Sequence, residues 1–274
     1  MGAFYVNVQR PSLSEPTVNT VFEQLLMSLH HLAALRAMVN ADSDRDFARV
    51  AVMTWYYGIY CAASAMVAAK DSSLQDDHTG TANQWDRQIA ACGLIPRPFD
   101  FRLTTMLKKV AAAEVAELRK GSKFVVNNRP TTVDDAIGAC VSYLSGTRTY
   151  REWQITEELK TRELKKLNLS DFRSKPAKEL RDSRLQGKSL GFLHQAFRYR
   201  GKANYRDALF LTYEAQVDTV LDGFIDDLQA VLKAFLIAAG AFCFRRVASA
   251  DWCAFIDDLN QHLHLAVMPR DVWA

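Results

Sequence analysis

Residues 50–69 read VAVMTWYYGIYCAASAMVAA, a stretch of twenty positions without a charged side chain. Acidic and polar residues precede the stretch, and Lys70 and Asp71 follow it, so polar residues bracket one long helix. A helix that is apolar on every side must be buried, either in a protein core or in lipid. The sequence therefore predicts a buried central helix at about 42–70, around which the other elements pack.

A helix of this length, about 30 Å, also matches the hydrocarbon core of a bilayer. Three features favour a protein core instead. Thr54, Gly58 and Ser64 dilute the hydrophobicity, no second stretch of this length follows, and several alanines allow neighbouring helices to come close. We therefore expect a soluble helical bundle and no membrane partner.

Apolar residues recur every three or four positions along most of the remaining chain, which predicts amphipathic helices. The expected fold class is all-α, a multi-helix bundle around the buried central helix at about 42–70, with no substantial sheet. Residues 1–16 are expected to form an extended N-terminal arm, and residues 17–274 a single helical domain. Besides the central helix, the predicted helices cover residues 17–40, 82–92, 103–121 after an Asp100 cap, 131–146 ending at Gly146, 148–167, 177–186, 190–199, 203–244 and 249–263.

The five cysteines never form a CxxC pair, so the sequence indicates neither a disulfide framework nor a zinc site. The N-terminal residues MGAFYVNVQR lack the basic and then apolar pattern of a secretory signal. Both features predict a cytoplasmic protein with reduced cysteines.

No cofactor and no metal ion are expected from the motifs. Gly187-Lys188-Ser189 resembles the end of a phosphate-binding loop, but the motif requires a glycine where this chain has Asp182, and it requires a preceding strand. Asp218, Asp222 and Asp226 follow one another at i, i+4 spacing, and we expect them to form a solvated helix face rather than a metal site.

The charge of the chain is unevenly distributed. The whole chain carries a formal charge of only +3, yet residues 160–206 contain fourteen Lys/Arg and four Asp/Glu. Aromatic residues, among them Phe172, Phe197 and Tyr199, lie within this basic segment. Cationic side chains bind phosphates and aromatic rings stack on unpaired bases, so the segment predicts binding of RNA or single-stranded DNA. The candidate nucleic-acid-binding residues are Lys165, Lys166, Arg173, Lys175, Arg198, Arg200, Lys202, Asn204 and Arg206.

Two regions resemble HEPN domains, helical bundles found in prokaryotic toxins and antiviral defence proteins. The helix FARVAVMTWYYGIYCAASAMVAAK at 47–70 and the polar connection DDHTGTANQW at 76–85 resemble the second helix and following loop of that family. The segment RYRGKANYRD at 198–207 lies where the family has its functional motif. The resemblance implies a homodimer, or a subunit of a larger complex, within a defence or toxin–antitoxin system.

Nucleolytic HEPN proteins carry an Arg followed after four to six residues by a His, and paired motifs at a dimer interface cleave RNA. In this chain Arg200 is followed by Tyr205, and no histidine has an arginine at the matching upstream position. The resemblance therefore implies Arg200 and Tyr205 as the candidate catalytic pair, although a tyrosine of ordinary pKa is a poor general base at neutral pH. A structural alternative is that Arg200, Asn204, Arg206 and Asp207 cap the following helix.

Two functions remain open from the sequence. In the first, a HEPN-like protein binds nucleic acid or nucleotide through the basic segment. In the second, the chain is a non-catalytic subunit or adaptor of a multiprotein complex, and the same segment binds an acidic protein partner. A metal-dependent hydrolase that uses the aspartate row is a third possibility, but no histidine stands at matching spacing.

Overall fold

The computed structural model describes residues 1–41, 44–74, 77–124, 130–205 and 223–273, and leaves the side chains of residues 44, 45, 204 and 205 undescribed. Across these ranges the chain is helical, and the one pairing of extended backbone is an isolated antiparallel bridge between Leu103 and Leu190. The predicted all-α fold class is confirmed. The helices are α1 (Glu15–Asn40), α2 (Asp44–Asp71), α3 (His78–Trp85), α4 (Lys108–Arg119), α5 (Val133–Leu159), α6 (Lys175–Gln186), α7 (Phe192–Tyr205), α8 (Phe224–Arg246), α9 (Ser249–His262) and α10 (Arg270–Trp273), with π-helical turns at Asp86–Ala90 and Lys160–Leu164.

Helix α2 is the buried central helix that the uncharged stretch predicts. It packs against α1 and α8, and its alanines and apolar side chains are almost all buried. Gly58 lies at the closest approach, where an added Cβ would come within 2.6 Å of Leu232. The Ser28 hydroxyl of α1 donates a hydrogen bond of 2.8 Å to the Gly58 carbonyl. A small residue at position 58 thus allows three helices to pack closely.

The chain divides into two compact units. The first unit comprises Met1–Pro96 and Ala196–Ala274, and the second comprises Arg97–Gln195. The second unit has its own apolar core, and the single domain expected for residues 17–274 stays a prediction. The residues of that core are Phe101, Leu103, Ala111, Val141, Leu144 and Leu190.

The N-terminal residues are held in place before α1 begins at Glu15. Tyr5 is fully buried, and its hydroxyl donates to the Leu94 carbonyl at 3.1 Å. Arg246, near the end of α8, donates to the Gln9 carbonyl at 2.7 Å. Residues 2–7 form turns, so the arm is not extended over its whole length.

Several helix ends differ from the sequence-based predictions. The helix expected after Asp100 begins only at Lys108, because Leu103 pairs its backbone with Leu190. The helix expected to stop at Gly146 continues to Leu159. Arg148 explains the continuation: its guanidinium donates twice to the Met106 carbonyl, at 2.7 and 3.1 Å. Such buried contacts outweigh the cost of about 1 kcal/mol for a glycine inside a helix.

Within the described ranges, two helices are long and apolar enough to cross a membrane, judged by length and composition alone. They are Asp46–Asp71 and Phe224–Arg246, and 72% and 56% of their most apolar windows are buried within the protein. The expectation that no second apolar stretch of this length follows α2 is therefore wrong. Buried core helices of soluble proteins share this composition, and the cytoplasmic location stays a prediction.

Candidate functional site

Arg200 of α7 lies in the first unit, surrounded by aromatic side chains. Its guanidinium carbon is 5.5 Å from the ring centre of Tyr56, 5.4 Å from that of Tyr57 and 5.9 Å from that of Phe197. Its Nη2 donates a hydrogen bond of 3.1 Å to the Tyr57 hydroxyl. Its Nε is buried and has no hydrogen-bond partner among the described residues. Tyr56 and Tyr57 come from α2, so the central helix provides two of the three rings around this cation.

His78 joins the same cluster from the first turn of α3. The Asp77 side chain starts this helix by accepting hydrogen bonds from the backbone amides of Thr79 and Gly80, each at 2.8 Å. The His78 ring stacks on Phe197, with ring centres 5.4 Å apart. Its Nδ1 is 2.9 Å from the Tyr56 hydroxyl. His78 and Arg200 therefore both contact the rings of Tyr56 and Phe197.

The environment keeps both partners of this hydrogen bond uncharged at neutral pH. Burial, with the nearby Arg200 charge as a second cause, lowers the pKa of His78 below its ordinary value of 6.5. Burial raises the pKa of the Tyr56 hydroxyl well above its ordinary value. When Nδ1 carries the proton and donates to the Tyr56 hydroxyl, Nε2 is the ring nitrogen that can accept a proton. We define the histidine–arginine cluster as His78, Arg200, Tyr56, Tyr57 and Phe197.

The sequence did not predict a role for His78. A motif of fixed spacing cannot reveal this histidine, because His78 and Arg200 are 122 positions apart on different helices. One sequence feature could have indicated it. Asp77 is a favourable helix N-cap, and His78 follows it directly, which places an imidazole at the start of a helix.

The predicted partner of Arg200 lies at the edge of the described chain. The side chains of Asn204 and Tyr205 are not described, and Arg206 lies outside the described residues. The catalytic pair Arg200 and Tyr205 thus stays a prediction. Arg198 and Lys202, also on α7, are half-buried and each has an interaction partner.

The arrangement of rings around Arg200 predicts a stability effect. Arg200→Ala should lower the free energy of unfolding by about 2 kcal/mol, because it removes one hydrogen bond and several partly desolvated cation–π contacts. Urea denaturation followed by circular dichroism measures this loss. Arg200→Lys is the matched control: it keeps the charge but not the forked donors, and we expect a smaller loss. An unchanged stability in the alanine variant would contradict the enclosed position of Arg200.

The remaining candidate residues lie in the second unit and are exposed. Lys165 and Lys166 follow the π-helical turn that extends α5, Arg173 precedes α6, and Lys175 is the first residue of α6. The side chains of Lys166, Arg173 and Lys175 are 71%, 93% and 87% exposed, and each forms one ion pair with an acid close in sequence. The acids are Glu163, Asp171 and Glu179.

The two units carry opposite net charges. The second unit contains 20 Lys/Arg and 12 Asp/Glu, a net charge of +8, whereas the first unit contains 14 and 19, a net charge of −5. The positive charge also extends beyond the predicted segment, because eight of the basic residues of the second unit lie at positions 97–129. The whole second unit, and not only residues 160–206, is therefore basic.

The aromatic residues of the basic segment do not share one environment. The Phe197 ring packs on Tyr56 and His78, and Tyr199 makes an edge contact with Trp55 in the first unit. The guanidinium carbon of Arg181 lies over the Phe172 ring, 5.9 Å from the ring centre. None of these three rings is exposed, so each already has neighbours that limit stacking on a base.

The potential metal ligands are dispersed. Across the described ranges no three His, Cys, Asp or Glu side chains cluster in a way that could hold a metal ion. Asp218 and Asp222 of the aspartate row lie outside those ranges, and Asp226 lies in the first turn of α8. Cys61 and Cys243 are buried free thiols, and burial raises the pKa of Cys61 to about 11.

The chain has no significant match to a protein-family model, to a curated protein sequence or to a solved structure. The resemblance to HEPN domains stays a prediction from the sequence patterns at 47–70, 76–85 and 198–207.

Proposed function

We propose that this chain is a HEPN-like helical protein that binds RNA or single-stranded DNA through its basic second unit, in a bacterial defence or toxin system. The observation that supports the proposal is the net charge of +8 on the second unit, with Lys165, Lys166, Arg173 and Lys175 exposed. A field of this sign and size attracts phosphate chains irrespective of their sequence.

The ion pairs on these side chains do not oppose binding. An exposed pair contributes between about 0 and 1 kcal/mol, so a phosphate oxygen can replace a carboxylate at little cost. The pair between Arg173 and Asp171, for example, joins a side chain that is 93% exposed to one that is 48% exposed. Binding of a nucleic acid also releases the counterions condensed on its phosphates, and this release favours the contact. A local ion pair with a carboxylate of the protein has no such contribution.

Filter binding of the full chain to single-stranded RNA and DNA tests the proposal, beside a pull-down from lysate with and without nuclease treatment. We expect retention of both probes on the filter and loss of co-purifying partners after nuclease treatment. Partners that survive nuclease, with neither probe retained, would instead identify an adaptor whose basic unit binds an acidic protein.

One observation favours RNA cleavage as a second candidate function: His78 contacts the same rings as Arg200. A neutral His78 would accept the proton of the ribose 2′-hydroxyl at Nε2 while the 2′ oxygen forms a bond to the adjacent phosphorus. The bond from phosphorus to the 5′ oxygen breaks, the 5′ oxygen takes a proton from water, and a 2′,3′-cyclic phosphate remains. Arg200 would stabilise the charge that develops on the phosphate. This assignment replaces the predicted Tyr205 by an imidazole, which is uncharged at neutral pH because burial lowers the pKa of His78.

Incubation of the full chain with RNA in the presence of EDTA tests cleavage, and gel electrophoresis detects the products. We expect cleavage by the wild type and at least a hundredfold lower rate for His78→Gln, whose amide keeps a partner for Tyr56 but is no base. His262→Gln, which changes an exposed histidine of α9, is the control and should cleave normally. Equal rates in all three proteins would exclude His78 as the base.

A further inference from the structure

Trp153 on α5 is unusual among the tryptophans of this chain. All five lie within the described ranges, and Trp153 is the exposed one, with 53% of its surface accessible, whereas Trp55, Trp85 and Trp252 are at most 6% accessible. Its ring centre is 5.9 Å from that of Tyr150, with an angle of 32° between the ring planes. Trp153 presents its ring to solvent, and the half-buried Tyr150 ring lies beside it.

Hydrogen bonds hold the Tyr150 ring in position. The side-chain amide nitrogen of Gln154 donates to the Tyr150 hydroxyl at 3.1 Å, and Arg151 donates to the side-chain oxygen Oε1 of Gln154 at 2.9 Å. The helix beneath them is held by Arg148, which forms an ion pair of 2.9 Å with Glu152. An aromatic surface fixed in this way loses little conformational entropy when a planar ligand stacks on it.

Positive charge lies along the same helix. Lys160 follows Trp153 by seven residues, which places both on the same side of the helix about 10 Å apart. Lys160 is 42% exposed and pairs with Glu157. The unit that contains both residues has a net charge of +8. The aromatic surface and the cations therefore match the two chemical parts of a single-stranded nucleic acid, its bases and its phosphates.

We propose that Tyr150 and Trp153 form a base-stacking platform that makes the second unit prefer single-stranded over double-stranded RNA. The inference rests on the proposed function, and it adds the class of nucleic acid bound. Phosphates are present in both forms, so the lysines and arginines do not distinguish them. In a duplex the faces of each base are covered by neighbouring bases, whereas an unpaired base offers a free face for stacking.

The surroundings of Trp153 do not fit a docking surface for a folded protein. A stable protein interface buries on the order of 1,000 Å² or more, with a contiguous apolar centre. The other exposed large apolar residue of α5 is Val133, which lies twenty residues, or about 30 Å, from Trp153. One aromatic pair flanked by charged residues suits a single base better than a protein surface.

The test uses fluorescence anisotropy of the full chain with a labelled 20-nucleotide RNA of mixed sequence, alone or annealed to its complement. For Trp153→Ala we expect binding of the single strand to weaken on the order of tenfold, and binding of the duplex to change by less than twofold. Trp153→Phe keeps a stacking ring and should retain most of the affinity. Val133→Ala removes another exposed apolar side chain from the same helix and should bind as the wild type does.

The outcomes separate the platform from the proposed function. If the wild type binds neither RNA, nucleic-acid binding fails and the platform fails with it. If the wild type binds the single strand and Trp153→Ala binds it equally well, or loses both forms equally, the platform alone is overturned. A change of oligomeric state of Trp153→Ala in light scattering would also overturn it, by assigning Trp153 to an interface between copies of the chain. Melting temperatures equal to that of the wild type confirm that each variant is folded.

Discussion

Replacement of Lys165, Lys166, Arg173 and Lys175 together by alanine is expected to weaken binding of single-stranded RNA on the order of a hundredfold at 0.1 M salt. All four side chains are exposed in the second unit, and three of them hold only a local ion pair. Each lost phosphate contact means that fewer condensed counterions are released on binding. The contribution of this release to the binding free energy grows as the salt concentration falls. Because the side chains contribute little to folding, the variant should melt at the wild-type temperature.

The salt dependence of binding is the specific measurement. On single strands each lost contact flattens the plot of log affinity against log salt by about 0.7, so four contacts flatten it by about 3. A control variant removes the same charge from the first unit and should leave the slope unchanged. An equal effect of both variants would mean that net charge, and not this surface, determines binding. The control changes Arg36, Arg87, Lys233 and Arg270 to alanine.

Arg246→Ala is expected to lower the free energy of unfolding by about 3 kcal/mol and the melting temperature by about 8 °C. The guanidinium donates to three carbonyl oxygens: that of Ala69 at 2.8 Å, that of Lys70 at 2.9 Å and that of Gln9 at 2.7 Å. The first two belong to the last turn of α2, whose carbonyl groups have no partner within the helix. One side chain therefore caps the central helix and holds the N-terminal residues.

Arg245→Ala provides a matched control for this prediction. Arg245 is the preceding residue of α8, and its guanidinium donates to the Val6 carbonyl at 2.7 Å in an exposed setting. Its loss should cost no more than about 1 kcal/mol. Thermal melts followed by circular dichroism compare the two variants. Equal melting temperatures for both would show that Arg246 does not cap α2 in solution.

The central helix was predictable because its signal is local. Twenty uncharged positions bracketed by polar residues demand burial, and the alanines and Gly58 leave room for the neighbouring helices. The all-α class follows from the three- to four-residue spacing of apolar positions for the same reason. The start of α5 was also readable, because Thr132 and Asp135 form a capping box that depends on sequence spacing alone.

The features that the sequence did not reveal depend on long-range contacts. The pairing of Leu103 with Leu190 delays the start of α4 until Lys108, although nothing near Asp100 signals it. His78 meets the rings around Arg200 only after α2, α3 and α7 have packed together. The exposure of Trp153 is likewise a property of the folded surface, since a tryptophan at helical spacing is more often part of a core.

Photo-crosslinking maps the RNA contact directly and tests the central claim, that the basic second unit binds single-stranded nucleic acid. The full chain is irradiated with a single-stranded RNA that contains 4-thiouridine, and mass spectrometry identifies the crosslinked peptides. We predict crosslinks within Arg97–Gln195, concentrated on peptides that contain residues 150–175, and their loss when unlabelled single-stranded RNA competes. Crosslinks confined to peptides of the first unit, or none that a competitor removes, would contradict the account.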